Sequence, residues 1–219
     1  MDLFHISNYT FGTKDEQARS KAMQSLSKTQ LAQILRDNYK QRGIRRSVAA
    51  VILVHEHRFP HILLLQRRDG RGEFVLPGGR LRPGESNEEG LQRKLTSKLT
   101  PVSPPPPPPP PAASSDQMLE LDDQLQQSAR PDVGEKLCSW YAIDFDRRYF
   151  PYVPAHVTKP KEELHVYAVS LPSKFTFAVP KNLHLLAVPI CDVFNNSATY
   201  GDIISAIPSV LSRYHFNYC

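Results

Sequence analysis

Cysteine is scarce in this chain and follows no pattern. Cys138, Cys191 and Cys219 are far apart and odd in number. That excludes a disulfide framework and a thiolate zinc site, whose ligands recur at short fixed spacings. Free thiols in a reducing compartment are expected. No apolar run approaches the roughly 20 residues of a membrane-spanning helix, so no membrane partner is expected. The N-terminus lacks a basic stretch leading into an apolar one, and no secretory leader is expected. No internal repeat is visible. Neither sign of charge dominates: Lys and Arg total 27 against 22 for Asp and Glu, a net +5. That balance permits nucleic-acid binding but does not by itself point to it.

Proline, by contrast, is abundant, at 20 of 219 residues. Pro104 to Pro111 is an unbroken run that donates no backbone hydrogen bond, so it forms polyproline II or statistical coil. Residues 101–134 are expected to be a flexible insertion, with a short helix around 118–127. The run reads as a spacer or as a ligand for an SH3-like or WW-like module. It divides one core. Residues 1–42 form an N-terminal arm and helix, 43–100 the first half of the core, and 135–219 the second half. An apolar fraction of 40% is enough to fill that core.

The patterning around the insertion is mixed α/β. The stretch 1–15 reads as an extended arm with a turn at Gly12. Residues 16–42 read as a helix with Leu26, Leu31, Ile34, Leu35 and Tyr39 on one stripe, stopping at Gly43. Val48 to His55 and His61 to Gln66 are apolar strands joined by a tight turn. His55, His57 and His61 read as surface imidazoles of that turn, since no acid or cysteine stands at ligand spacing. A short strand ends at Leu76. Lys136 to Ile143, Leu164 to Leu171, Phe175 to Val179 and Leu183 to Val188 are further strands. Pro151, Pro154 and Pro160 give a rigid extended segment. Tyr200 and Gly201 fall in a loop before a closing helix over 203–214.

The stretch from Phe74 to Leu99 is central. A strand leads through Pro77-Gly78-Gly79 into a loop. Ser86 then offers an N-cap, Glu88 and Glu89 favour the first helical turn, and Leu91, Leu95 and Leu99 give an apolar face. This strand–loop–helix resembles the Nudix box, G-x5-E-x7-R-E-U-x-E-E-x-G-U, where U is bulky and apolar. Gly79, Glu85, Arg93 and Leu95 match. The carboxylates that would hold divalent cations against a pyrophosphate do not, because Lys94, Ser97 and Lys98 occupy those positions and Thr100 replaces the glycine. Ammonium groups repel a cation. The box therefore reads as a scaffold without hydrolytic chemistry, with no catalytic residue, metal or cofactor expected.

Beyond the box, N-Y-T-F-G-T-K (8–14), the 45–66 strand pair, L-P-G-G-R-L-R-P-G-E (76–85), P-Y-V-P-A-H-V-T-K-P-K-E (151–162), F-A-V-P-K-N (177–182) and the 200–216 segment resemble the small Nudix subunit of pre-mRNA cleavage factor I. The resemblance implies a Nudix fold, a mixed β-sheet sandwiched between helices (α/β/α). It implies a nuclear homodimer that pairs with a larger subunit carrying an RNA-recognition domain. It also implies binding of U-G-U-A elements in single-stranded pre-mRNA during cleavage and polyadenylation.

Carried over by position, Phe74, Leu76, Tyr200 and Gly201 align with the RNA-contacting surface. Arg45, Arg46, Arg67, Arg68 and Arg71 flank that strand and are candidates for phosphate contacts. Three positions depart from the family: Glu73 replaces a second aromatic, Ala49 a base-reading acid, and Leu31 a helical arginine. Weakened or altered specificity is the expectation. The competing readings are an active Nudix pyrophosphatase on nucleoside diphosphate derivatives, and a scaffold subunit without RNA contact.

Overall fold

The computed structural model describes residues 1–15, 27–68, 72–101, 131–146 and 148–219. The proline-rich insertion and Arg71 lie outside these residues, as do the first residues of the helix expected over 16–42.

The sheet is built from runs that bury both faces. β3 (Arg45–Glu56) and β4 (Phe59–Arg67) carry nearly continuous apolar sequence, the signature of strands covered on two sides. His57 and Arg58 join them with positive φ at both residues, 50° and 64°. That geometry suits a two-residue hairpin turn, although side chains other than Asn and Gly adopt it at a cost. β3 and β4 then diverge. Into the gap fit β5 (Phe74–Val75), paired to β4, and β6 (Gly78–Arg80), paired to β3. The other strands among the described residues are β1 (Asp2–Leu3), β2 (Tyr9–Lys14), β7 (Asp132–Ala142), β8 (Tyr149–Phe150), β9 (Glu162–Ser170), β10 (Phe175–Pro180), β11 (Leu183–Pro189) and β12 (Asn217–Tyr218). The main order is β11-β4-β3-β9-β7-β8, with β3 and β9 parallel and the other pairs antiparallel.

Gly78 sets the close approach of β6 to β3. Its φ is +150°, and a Cβ there would meet the Val48 carbonyl oxygen at 2.2 Å. Only glycine fits without moving the backbone.

Alternate residues of β3 face opposite layers. Val48, Ala50, Ile52 and Val54 pack with Leu91, Leu95 and Leu99 of helix α2 (Asn87–Leu99). Ala49, Val51 and Leu53 pack with Ile204, Ile207 and Leu211 of helix α5 (Asp202–Leu211). The result is the expected α/β/α sandwich. Helix α1 (Lys28–Arg42) ends at Gly43 as its sequence indicates, with Ser27 and Gln30 forming a capping box at its start. Helix α2 has the same device in Ser86 and Glu89.

Several local expectations are corrected. Gly12 is not a turn; it lies inside β2 (Tyr9–Lys14), which runs parallel to β10. His55 and His61 are buried rather than exposed, and their rings bond the Cys219 and Phe59 carbonyl groups. The segment around Pro151 to Pro160 carries bends and one turn, closed by the Val157 N–H on the Pro154 carbonyl, rather than an extended rod. After the short helix α3 (Ile190–Val193), Tyr200 ends a one-turn helix, α4 (Ser197–Tyr200), where a loop is expected. Asn196 makes that turn possible, because its side chain accepts from the Thr199 N–H.

Candidate nucleic-acid interface

The aromatic site starts from a two-residue strand. Phe74 pairs with Gln66 in the β4–β5 register, and its ring lies on the α5 side of the sheet. The α4 turn packs on β5 and brings Tyr200 to it. The two ring centroids are 4.8 Å apart, with planes inclined at 48°. Leu76 joins the same apolar cluster, and all three side chains are half-buried. Gly201 follows with φ +80° and open space around it, so its exposed backbone separates α4 from α5. Four candidates scattered in sequence thus form one patch. Ala49 contributes to the apolar cluster of the same face, 5% exposed.

The arginines divide. Arg67, at the end of β4, alternates with Leu63 and Leu65 onto the α2 side of the sheet, away from the patch, where its charge reaches Lys98, and Arg68 follows it. The Arg67 guanidinium sits 3.7 Å from the Glu73 carboxylate, next to Phe74, and the Arg68 N–H donates to the Asn182 carbonyl. Arg45 and Arg46 point to opposite sides of β3. Arg45 pairs with the buried Glu162 at 3.3 Å, while Arg46 donates to Asn87 at the start of α2. Both are already engaged. Arg71 lies outside the described residues.

A second cationic group escaped the sequence reading. Arg42 and Arg45 lie close enough to Arg80 that their charges, after desolvation, hold its pKa below the ordinary value. Beside them Lys161 stands 4.3 Å above the Tyr39 ring, and Tyr39 meets Phe145 edge-on. No pattern in the sequence joins these residues, which come from α1, β3, β6, the loop after β7 and the end of the segment before β9.

The box itself is held by one bidentate pair. Arg93 donates to both Glu85 oxygens at 2.6 Å, and the Arg82 N–H donates to the same carboxylate. These bonds, Arg93 first, draw the Glu85 pKa down to about 2. Glu85 is thus a ligand of its own helix and not simply part of a solvated turn. Lys94 lies against Gly79, where a Cβ would stand 3.2 Å from the lysine stem. Lys98 is one turn further on the same helix face. Burial, then the charges of Lys94 and Arg67, push its ammonium down to about 8. Lys14 closes the helix C-terminus by donating to the Ser97 and Thr100 carbonyls. It satisfies orphan acceptors and complements the dipole there.

The divalent ions of a Nudix hydrolase therefore do not fit this donor set. Among the described residues there is no grouping of three or more His, Cys, Asp or Glu able to hold a metal. The one box carboxylate facing the region, Glu85, has both oxygens engaged by Arg93.

A model of the NUDIX_2 family, described as nucleotide hydrolase, matches residues 1–214. Pre-mRNA cleavage factor Im 25 kDa subunit 2 of Arabidopsis thaliana is 42% identical over 219 residues, spanning 99% of this chain and 95% of that protein. Cleavage and polyadenylation specificity factor subunit 5 of Dictyostelium discoideum is 38% identical over 212 residues, spanning 97% of this chain and 92% of the relative. Among solved structures, an Ap4A hydrolase of C. elegans superposes with a TM-score of 0.45 at 12% identity, covering 77% of this chain and 96% of that one. A likeness that slight says nothing of activity.

Proposed function

The chain belongs to the small-subunit family of pre-mRNA cleavage factor Im, within the wider NUDIX_2 group, and from that premise we propose that it is a non-catalytic, RNA-contacting subunit of the 3′-end processing machinery. A role in pre-mRNA 3′ processing rests on relatives that match nearly the whole length. The observation that most favours a non-catalytic subunit is the charge on α2. Where a hydrolase requires carboxylates, Lys94 and Lys98 present ammonium groups, and Glu85 is locked to Arg93.

In this reading single-stranded RNA lies along the Phe74–Tyr200 patch. One base stacks on the aromatic pair, the Gly201 backbone approaches a base edge, and Arg68 meets a phosphate, while Arg67 lies on the other face of the sheet. The protein acts in the nucleus as a homodimer joined to a larger subunit with an RNA-recognition domain. U-G-U-A selectivity is weakened, because Ala49 carries no acceptor and the Glu73 carboxylate faces Arg67 beside the stacking position.

The second reading is an assembly subunit without RNA contact. It is favoured by Phe74, whose ring is already engaged by Tyr200. One variant separates the two. A base-stacking aromatic contributes ~1–3 kcal/mol, so Phe74→Ala should weaken binding to a short single-stranded RNA about tenfold or more. Fluorescence anisotropy reads this directly. Unchanged affinity in a folded variant favours assembly alone.

A further inference from the structure

On the RNA-contacting reading above, we propose that the cavity between helix α1 and the paired strands β3 and β6 is a second RNA subsite. It takes one phosphate of a strand whose base lies on the Phe74–Tyr200 patch, and Arg80 and Lys161 are the residues that hold it.

The strand pattern puts the two places on one face. Arg45, Ser47 and Ala49 alternate onto the same side of β3. Ala49 belongs to the apolar cluster that holds Phe74 and Tyr200. Arg80 is opposite Ser47 in the β3–β6 ladder, and residues directly opposite share a face. Arg45 stands four residues from Ala49, about 13 Å along the strand at about 3.3 Å per residue. A single strand of RNA seated on the patch can therefore run along β3 to the cavity.

The cavity has a volume of about 30 Å³. One water takes about 10–15 Å³ by this measure, so there is room for about two waters or the oxygens of one phosphate. Arg45, Arg80 and Lys161 line it, against Glu162 and Asp144. Glu162 is already engaged: it accepts from the Ser47 hydroxyl at 2.7 Å and pairs with Arg45 at 3.3 Å. Asp144 is exposed and accepts from the Asp146 N–H. Among the described residues, neither the Arg80 guanidinium nor the Lys161 ammonium has a carboxylate or hydrogen-bond partner. Lys161 rests on an aromatic face instead, 4.3 Å from the Tyr39 centroid. That contact covers the ring, so the cavity offers charge and not a stacking surface. An unpaired guanidinium presents a planar fork of donors that matches two phosphate oxygens, and such charge-assisted bonds are the strong ones. The repulsion that Arg80 feels from Arg45 and Arg42 is relieved by the same anion.

The test is equilibrium binding of the full chain to a single-stranded RNA of about ten nucleotides, read by fluorescence anisotropy over a series of salt concentrations. Arg80→Gln should weaken binding about tenfold. It should also flatten the log–log salt slope by about 0.7, the share of one phosphate on a single strand. Adding Lys161→Gln should weaken binding further, and Arg80→Lys, which keeps the charge, should recover part of the loss. Preference between RNA sequences should not move, because a phosphate contact carries none. A dinucleotide, whose single phosphate stays beside the stacked base, should shift the NMR signals of the parent and of Arg80→Gln alike. Thermal unfolding checks that each variant is folded. Unchanged affinity and slope in folded Arg80→Gln would overturn the subsite and leave the Phe74 surface standing, since Phe74→Ala reads that surface separately. An equal loss on the dinucleotide, or a changed sequence preference, would also overturn it. Absence of RNA binding by the parent would overturn both this subsite and the surface it extends.

Discussion

At the scale of the residue, Lys98 has the most to say. Its ammonium is half-buried among other cations, and its pKa falls from 10.5 to about 8. The unfolded chain thus binds more protons than the folded one between about pH 8 and 10.5, so stability rises with pH across that window. At roughly 1.4 kcal/mol per pKa unit, the destabilisation at neutral pH is at most roughly 3–4 kcal/mol. Lys98→Met removes it. Thermal unfolding at pH 7 should show a Tm higher by several degrees. Between pH 8 and 10 the parent should gain on the variant. A variant no more stable than the parent at pH 7 contradicts this account of the lysine's surroundings.

At the scale of the element, helix α2 shows how the box became a scaffold. Its capping box, the Glu85–Arg93 pair and the Lys14 closure fix both ends and the preceding loop. The Leu91, Leu95 and Leu99 face anchors it to the sheet. All of this is structural, and none of it supplies a metal ligand. A panel of nucleoside polyphosphates with Mg²⁺ or Mn²⁺ should therefore turn over no faster with the protein than in buffer, followed by phosphate release. Metal-dependent turnover abolished by Glu85→Gln would contradict it.

Elements of this kind were legible because their signals are local. The capping residues, the i, i+4 leucines and the Gly43 stop lie within a few residues of what they specify. The misread positions depend on distant partners. Gly12 sits in a strand because β10 pairs with it from far along the chain. His55 is buried because the C-terminal Cys219 carbonyl meets its ring. The Arg42–Arg45–Arg80 group assembles from three elements, so no spacing could reveal it. The aromatic patch follows from resemblance alone, and the contact between Phe74 and Tyr200 is visible only in three dimensions.

At the scale of the whole molecule, the fold follows from strands that bury both faces and helices that cover them. Helix α2 ends at a fully buried Leu99, and β7 begins at Asp132, so the core is anchored on both sides of the insertion. Residues 103–130 have too little apolar sequence to join that core. Their deletion should leave Tm unchanged within a few degrees and the oligomeric state intact, read by thermal unfolding and light scattering. A large fall in Tm means that the segment packs on the domain.

The central claim is that this chain contacts RNA through a worn-down version of its family's surface. Its most direct test is equilibrium binding of the purified protein to short single-stranded RNAs, with and without U-G-U-A, over a series of salt concentrations. The account predicts measurable binding that weakens linearly in log–log form as salt rises, as phosphate contacts require. It also predicts affinities for the U-G-U-A and scrambled RNAs that differ by only a small factor, since under the proposed reading Ala49 offers no acceptor and Glu73 no ring. No binding to either RNA at low salt, or a hundredfold preference for U-G-U-A, would contradict it.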